Sequence, residues 1–507
     1  MNHRTGTSRS VSQMMVPVLV FVSLLLSIVS SLGAPLIPAI AIANHVSLST
    51  AQWVLTACLM TGAVATPIMG RLADGARQRD VITVTLTIVA LGCALSALST
   101  NFLELVIGRG MQGVGLGLLP VNMAIARRHL DQSKASQAIA TLSISTAVGM
   151  GLGYPLTAFI TQVLGYRAAY WFGAIAVVAT MIASITVLPS RSVSRPRRFD
   201  MIGAVSLGLA VVGTSVLLSE GGVWGWTSAI SIGIALVSVA LIATWIRHEL
   251  VTVDPLVNLS YFQRRPIVTA YVAGFMMCVS LYLLIPVIVE FIQIPTHLGF
   301  GFGGTVLVSG LALMPLSAGT FIASRFLQVY ELHFGIRSMI PLGALIMSGS
   351  ALFFVFFHSS LWQPFVILGL AGAGVGFTFA AMPGFIIRAV EHHETGSATG
   401  MYQVLRNIGL SVGSALGAAI LLAHTSPGHV YPSIRGFQES LLACALLGVL
   451  TAVVSFILPG RPSTGSIESR QREGSKIRTI MREEAELAGA GLMLADEREP
   501  LGSEDRP

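Results

Sequence analysis

Fourteen stretches of about 20 mostly apolar residues recur along this 507-residue chain, and they restrict its fold more tightly than any other feature. In hydrocarbon a backbone must satisfy its own hydrogen bonds, so each stretch reads as a membrane-crossing helix. The first, about Val16 to Ala43, is longer than the roughly 7–15 apolar residues of a signal peptide and contains Pro35 and Pro38. It reads as a retained span, and the last is about Glu439 to Leu458.

Composition agrees. With 53% hydrophobic and 10% charged residues and a mean hydropathy of +0.77, a water-soluble globule could not cover its apolar surface. The net charge of +7 comes from basic residues in short clusters between apolar runs, which excludes a nucleic-acid-binding face. Cys58, Cys93, Cys278 and Cys444 lie inside apolar runs without paired spacing, so neither a disulfide framework nor a metal site is expected.

Lys and Arg set the orientation, because cytoplasmic loops carry their excess. If the N-terminus is inside, the inner segments before the tail hold 18 of them, while the outer loops hold only Arg167 and Arg435. Both termini are therefore expected in the cytoplasm, with the protein in the inner membrane. Arg109 and Arg406 fall within spans.

The sequence also repeats itself. A shift of 259 residues lays Gly110, Gly113, Gly115, Gly117 and Met123 onto Gly369, Gly372, Gly374, Gly376 and Met382. A shift of 260 lays Gly149, Gly153, Leu156 and Ala158 onto Gly409, Gly413, Leu416 and Ala418. The expected fold is an all-α polytopic membrane protein of 14 helices, two pseudo-symmetric six-helix bundles plus two linking helices. The divisions are a cytoplasmic N-terminus (1–13), an N-terminal bundle (14–190), a basic linker (191–200), two extra helices (201–247), a C-terminal bundle (248–460) and a disordered cytoplasmic tail (461–507).

Between the second and third spans stands Gly70, Arg71, Leu72, Ala73, Asp74, Gly75, Ala76, Arg77, Gln78 and Arg79, which resembles the signature loop of the major facilitator superfamily. In span four, Gly108, Arg109, Gly110, Met111, Gln112 and Gly113 form a second family element. Span five carries Gly149, Gly153, Tyr154 and Pro155, similar to the antiporter element of that family, with Tyr154 separating glycine from proline. The segment from Glu220 to Trp226 resembles the fourteen-span drug:proton antiporter branch. Ser31 to Pro38 and Glu394 to Gly400 resemble an actinobacterial group of that branch.

The resemblance implies a conformational switch at Gly70, Arg71, Asp74, Gly75 and Arg77. It implies proton coupling or substrate binding at Arg109 with Gln112. Gly149, Gly153, Tyr154 and Pro155 would serve helix packing and antiport. On span thirteen, Thr399, Tyr402, Gln403, Arg406, Gly413 and Gly417 share one helical face, so Tyr402, Gln403 and Arg406 join the candidate cavity. A buried arginine is costly in a membrane and should face the bundle interior or a wet cavity.

The expected function is secondary active transport, with proton-driven export of amphipathic small molecules or drugs leading. Export of a dedicated metabolite or lipid, or import, is the alternative. No cofactor is expected beyond the proton gradient; the partners are a small-molecule substrate and the lipid bilayer, and the protein is expected to work as a monomer. No nucleophile elbow, His-rich cluster or phosphate-cradling loop is present, which argues against an enzyme or a nucleotide-driven pump. A receptor would not need the half-to-half repeat. The carboxylates within or bordering spans, Glu104, Glu220 and Glu290, sit near the outer ends, so the cavity is expected to favour neutral or anionic substrates over dications.

Overall fold

The computed structural model describes residues 5–73, 77–130, 132–188, 200–252, 255, 259–326, 330, 333, 338–389, 395–426 and 429–457. Among them all regular structure is helical. The N-terminal six are α1 (Thr5–Ser30, resuming as Ile37–Asn44), α2 (Leu48–Ala51, then Trp53–Ala73), α3 (Gln78–Leu98), α4 (Phe102–Gly113, then Leu118–His129), α5 (Gln132–Leu164) and α6 (Tyr166–Val187). Two linking helices follow, α7 (Met201–Trp224) and α8 (Ala229–Val251). The C-terminal six are α9 (Arg265–Gln293), α10 (Val306–Ala312, then Met314–Arg325), α11 (Met339–Phe356), α12 (Trp362–Ala389), α13 (Thr395–Ala423) and α14 (Ile434–Ile457).

Among the described residues, 13 helices are long and apolar enough to cross a membrane, and the chain is a multi-pass membrane protein. The fourteenth expected span is α5, of which the apolar stretch Val148–Leu164 is the part that counts among the described residues. Its 33 residues begin with a Ser/Thr/Gln-rich half. In that polar half Ser145 and Thr146 donate to the carbonyls of Thr141 and Leu142, four residues back. The helix α1 starts at Thr5, with its membrane-spanning part from Met14, and α8 runs to Val251. The expected tail, 461–507, and basic linker, 191–199, lie outside the described residues.

Helix packing repeats with a period of eight. In the first bundle α1 packs along α5 and α6, α3 along α4 and α6, and α2 along α4. In the second, α9 packs along α13 and α14, α11 along α12 and α14, and α10 along α12. The paired glycines of the sequence repeat do equivalent work. A Cβ on Gly153 would strike Ser31 and Ile28 of α1, and one on Gly413 would strike Val279 of α9. Likewise Gly113 lies against the Cys58 carbonyl of α2, and Gly372 against the Leu316 carbonyl of α10. Such approaches need a residue without a side chain.

The bundles meet where α2 packs on α13 and α5 on α10. The linking helix α7 lies in the groove between α2 and α13, and α8 packs mainly on α7. Ile230, Leu236, Val239 and Leu250 of α8 are exposed, as expected where lipid is the solvent. The end of the bundle at which α1 finishes and α2 begins is called distal below, and the end nearest the chain termini proximal. Distal helix starts are capped by side chains: Asn101 accepts from Glu104 N at 2.9 Å, and Ser228 accepts from Ser231 N at 3.2 Å. Glu104 closes its box by accepting from Thr100 N at 2.7 Å, so this carboxylate serves the start of α4.

Candidate transport site

Among the described residues, each bundle holds one arginine in its interior. Arg109 of α4 is 0% exposed and is held by neutral groups alone among the hydrogen bonds it makes. Its Nη1 donates to Gln112 Oε1 at 2.6 Å and to the Val29 carbonyl at 3.4 Å, and its Nε donates to the Val54 carbonyl at 3.1 Å. Gln112 passes the link on, donating from Nε2 to Ser96 Oγ at 3.0 Å. Val29 lies just before α1 breaks at Ser30, where Gly33, Pro35 and Pro38 interrupt the regular ladder. Arg109 therefore fastens α1, α2 and α4 at the point where α1 bends, and its Nη2 has no hydrogen-bond partner.

Arg406 of α13 is arranged differently. Its guanidinium carbon lies 4.2 Å from the Phe379 ring centroid of α12 and 5.7 Å from that of Tyr402. Nη1 donates to Gln403 Oε1 at 3.2 Å, while the buried Nε has no partner. Stacking on rings holds the planar cation and leaves donors available in its plane. Tyr402 is itself wedged against Gly274 of α9, and its buried hydroxyl has no partner.

Tyr282 of α9 links the two centres. Its hydroxyl hydrogen-bonds that of Tyr154 on α5, across the bundle interface. It also interacts electrostatically with both Arg109 and Arg406. Tyr282, Met150 and Phe379 are partly buried and pack against the same apolar cluster. Two fixed cations with neutral partners and aromatic walls attract an anion or a lone-pair acceptor, and they penalise a dication.

Further contacts join the bundles in the distal half. Thr56 and Ser414 hydroxyls lie 2.9 Å apart, Gln293 Nε2 donates to the Pro35 carbonyl at 3.1 Å, and Leu307 N donates to Gln162 Oε1 at 3.1 Å. Gln52 Nε2 donates to Glu290 Oε1 at 3.0 Å. Ile37, Leu48, Leu55 and Tyr154 pack with Leu284, Ile288 and Phe291 in one apolar layer. Nearer mid-depth, Asn407 Nδ2 donates to Thr66 Oγ1 at 2.6 Å. Beyond the layer a distal vestibule of about 450 Å³ is lined by Ala39, Gln162, Gln293, Val306 and Tyr431 among others. Its floor includes the Gln293 bridge.

The remaining candidate residues fall as follows. Gly149 and Gly153 pack on α1, where Gly149 meets Leu24 and Ser27. Tyr154 is buried in the interface, and Pro155 lies within the uninterrupted helix α5. Of the signature loop, Gly70 has open space at its Cα and Arg77 is exposed just before α3. Arg71 continues α2, and Asp74 and Gly75 lie outside the described residues. Gly417 approaches Gln52, so the face of α13 read from the sequence turns toward α2 and α9.

Sequence reasoning missed Gln52, Tyr282 and Phe379, and placed Glu290 only as a residue near an outer end. Glu290 is 0% exposed. The signal for it was a lone carboxylate inside an otherwise apolar 29-residue helix; nothing in Leu48–Gly70 marks Gln52 as more than a polar span-start residue.

A model of the major facilitator superfamily matches residues 19–414, with a second match at 270–496. An uncharacterized MFS-type transporter of Mycobacterium tuberculosis (strain ATCC 25618 / H37Rv) is 25% identical over 479 residues, 87% of this chain and 68% of the relative. The multidrug transporter protein MdtP of Bacillus subtilis (strain 168) is 24% identical over 382 residues, 75% of this chain and 70% of its own. Among solved structures, the nucleoside transporter NupG superposes with a TM-score of 0.63 at 13% identity, covering 88% of this chain and all of that one. The eightfold-shifted packing, the glycine repeat and the family match agree: this chain is a secondary transporter, not an enzyme, and it belongs to the major facilitator superfamily.

Proposed function

We propose that this transporter exports amphipathic small molecules, neutral or anionic, in exchange for protons. The observation that carries this reading is the pair of interior arginines, each held by neutral groups and both within electrostatic reach of Tyr282 at the bundle interface. Substrate would lie between the bundles and be exposed to one side at a time as they rock. The distal contacts describe the state closed at that end. With the termini in the cytoplasm, as the Lys and Arg distribution implies, the closed end is the outward one. It would function as a monomer, using the proton gradient and no cofactor. Relatives named as multidrug transporters, such as MdtP, support a drug-like substrate range.

Everted membrane vesicles from expressing cells test the reading. Uptake of anionic and neutral dyes that collapses with a protonophore, and in Arg109→Ala, is the expected result. Uptake equal to that of empty-vector vesicles would reject drug export and redirect the search to a dedicated metabolite, a lipid or import.

A further inference from the structure

Glu290 and Gln52 form a contact that a purely steric gate would not require. Glu290 Oε1 accepts from Gln52 Nε2 at 3.0 Å across the interface of α9 and α2. The other two oxygens of the pair, Glu290 Oε2 and Gln52 Oε1, are both buried and both without a hydrogen-bond partner. An acid oxygen and an amide oxygen are both acceptors, and each lacks a donor here. A proton on Oε2 supplies the donor that the pair lacks and removes the buried charge.

The surroundings offer no substitute. Among the described residues, Gln52 is the one side chain that interacts with the Glu290 carboxyl, beyond burial itself. No ionisable group on the neighbouring elements forms a hydrogen bond or ion pair with it among the described residues. His424 of α13 lies 3.3 Å from Glu439 of α14, and His358 after α11 packs against the Phe291 ring. His45 caps the end of α1 in a left-handed conformation, and Tyr431 lines the vestibule. Burying an ionised carboxylate against one neutral amide costs several kcal/mol.

We propose that Glu290 is the proton-binding residue of the distal gate, taking up one proton from the distal side as the gate closes and losing it when α2 and α9 part. Closure and proton binding are then a single step. The proton enters from the distal side and returns to it, so this step sets the gate by the distal pH and does not itself carry a proton across; the inference rests on the Gln52–Glu290 geometry. Because the closed state holds one proton more than the open state, the closed fraction rises as pH falls.

The test needs no substrate. Spin labels at Ala39→Cys on α1 and Val306→Cys on α10, across the vestibule, report the distal opening in nanodiscs by their distance distribution; the four native cysteines are buried. Between about pH 5 and pH 9 the closed-to-open ratio should fall with rising pH, by at most about tenfold per unit, the limit for one linked proton. Glu290→Gln, which keeps the shape and remains uncharged, should stay closed across that range, and Gln52→Leu should favour the open state. A wild-type ratio independent of pH, or an unchanged pH slope in Glu290→Gln, would overturn the proposal. Failure of dye export in the vesicle assay alongside a pH-dependent distance would instead reject the export reading and leave the gate in place.

Discussion

Gln112 Oε1 receives Arg109 Nη1 at 2.6 Å while its own amide donates to Ser96 Oγ at 3.0 Å. One neutral side chain thus couples the buried cation of α4 to α3, and backbone carbonyls of α1 and α2 complete its shell. A charge held by dipoles in this way belongs to the architecture of the bundle as much as to the substrate path.

Gln112→Ala removes the shortest of those acceptors and leaves a buried donor unsatisfied, at a cost of about 1–3 kcal/mol. The expected outcome is a lower thermal midpoint in detergent. Arg109→Lys keeps the charge, yet a single ammonium cannot reach Gln112, Val29 and Val54 together, so transport should be lost. Wild-type transport by the lysine variant would show that charge alone is needed there.

Arg406 is expected to govern substrate charge. Its stacked guanidinium, 4.2 Å from the Phe379 centroid, offers an anion a desolvated partner. Arg406→Ala should reduce export of anionic dyes about five- to thirtyfold, since a partly desolvated cation–π and ionic contact is worth about 1–2 kcal/mol. Neutral dyes should lose less, and Arg406→Lys should fall between because an ammonium cannot lie flat on the ring. Equal losses for neutral and anionic dyes would place Arg406 in structure rather than recognition.

The glycine repeat predicts symmetrical damage. Gly153→Leu and Gly413→Leu each force a side chain into the facing helix, α1 or α9, and overpacking of this kind costs about 1–3 kcal/mol. Both should destabilise by similar amounts in thermal unfolding. Gly70→Ala, with open space at its Cα, should leave stability unchanged or slightly raised, because alanine is the better helix former by about 1 kcal/mol. A large difference between the two leucine variants would mean that the halves do not share one packing scheme.

Span count, bundle repeat and the two interior arginines were legible in the sequence because each follows from a one-dimensional pattern: apolar length, glycine spacing, or a charge within an apolar run. Gln52 and Tyr282 carried no local signal. Their roles arise from pairing with Glu290 and Tyr154, residues far away in sequence on helices that meet only when the bundles assemble. The same holds for Phe379, an ordinary aromatic until Arg406 of the next helix lies on it.

Gly310 provides a direct handle on the distal closure. A Cβ there would collide with Ala158 and with the Tyr154 carbonyl, so α10 approaches α5 this closely because position 310 has no side chain. Gly310→Leu should hold the helices apart when the distal end closes, displacing the equilibrium toward the open state. The four native cysteines are buried, so one cysteine introduced at Gln162, beside the Leu307 amide it accepts from, can be followed alone. Its alkylation by an impermeant maleimide added to the distal side should quicken about tenfold or more in Gly310→Leu, since a strain of 1–3 kcal/mol moves a two-state ratio by about that factor. An unchanged rate would mean that α5 and α10 do not separate during opening, and that the gate turns on α2 and α13 alone.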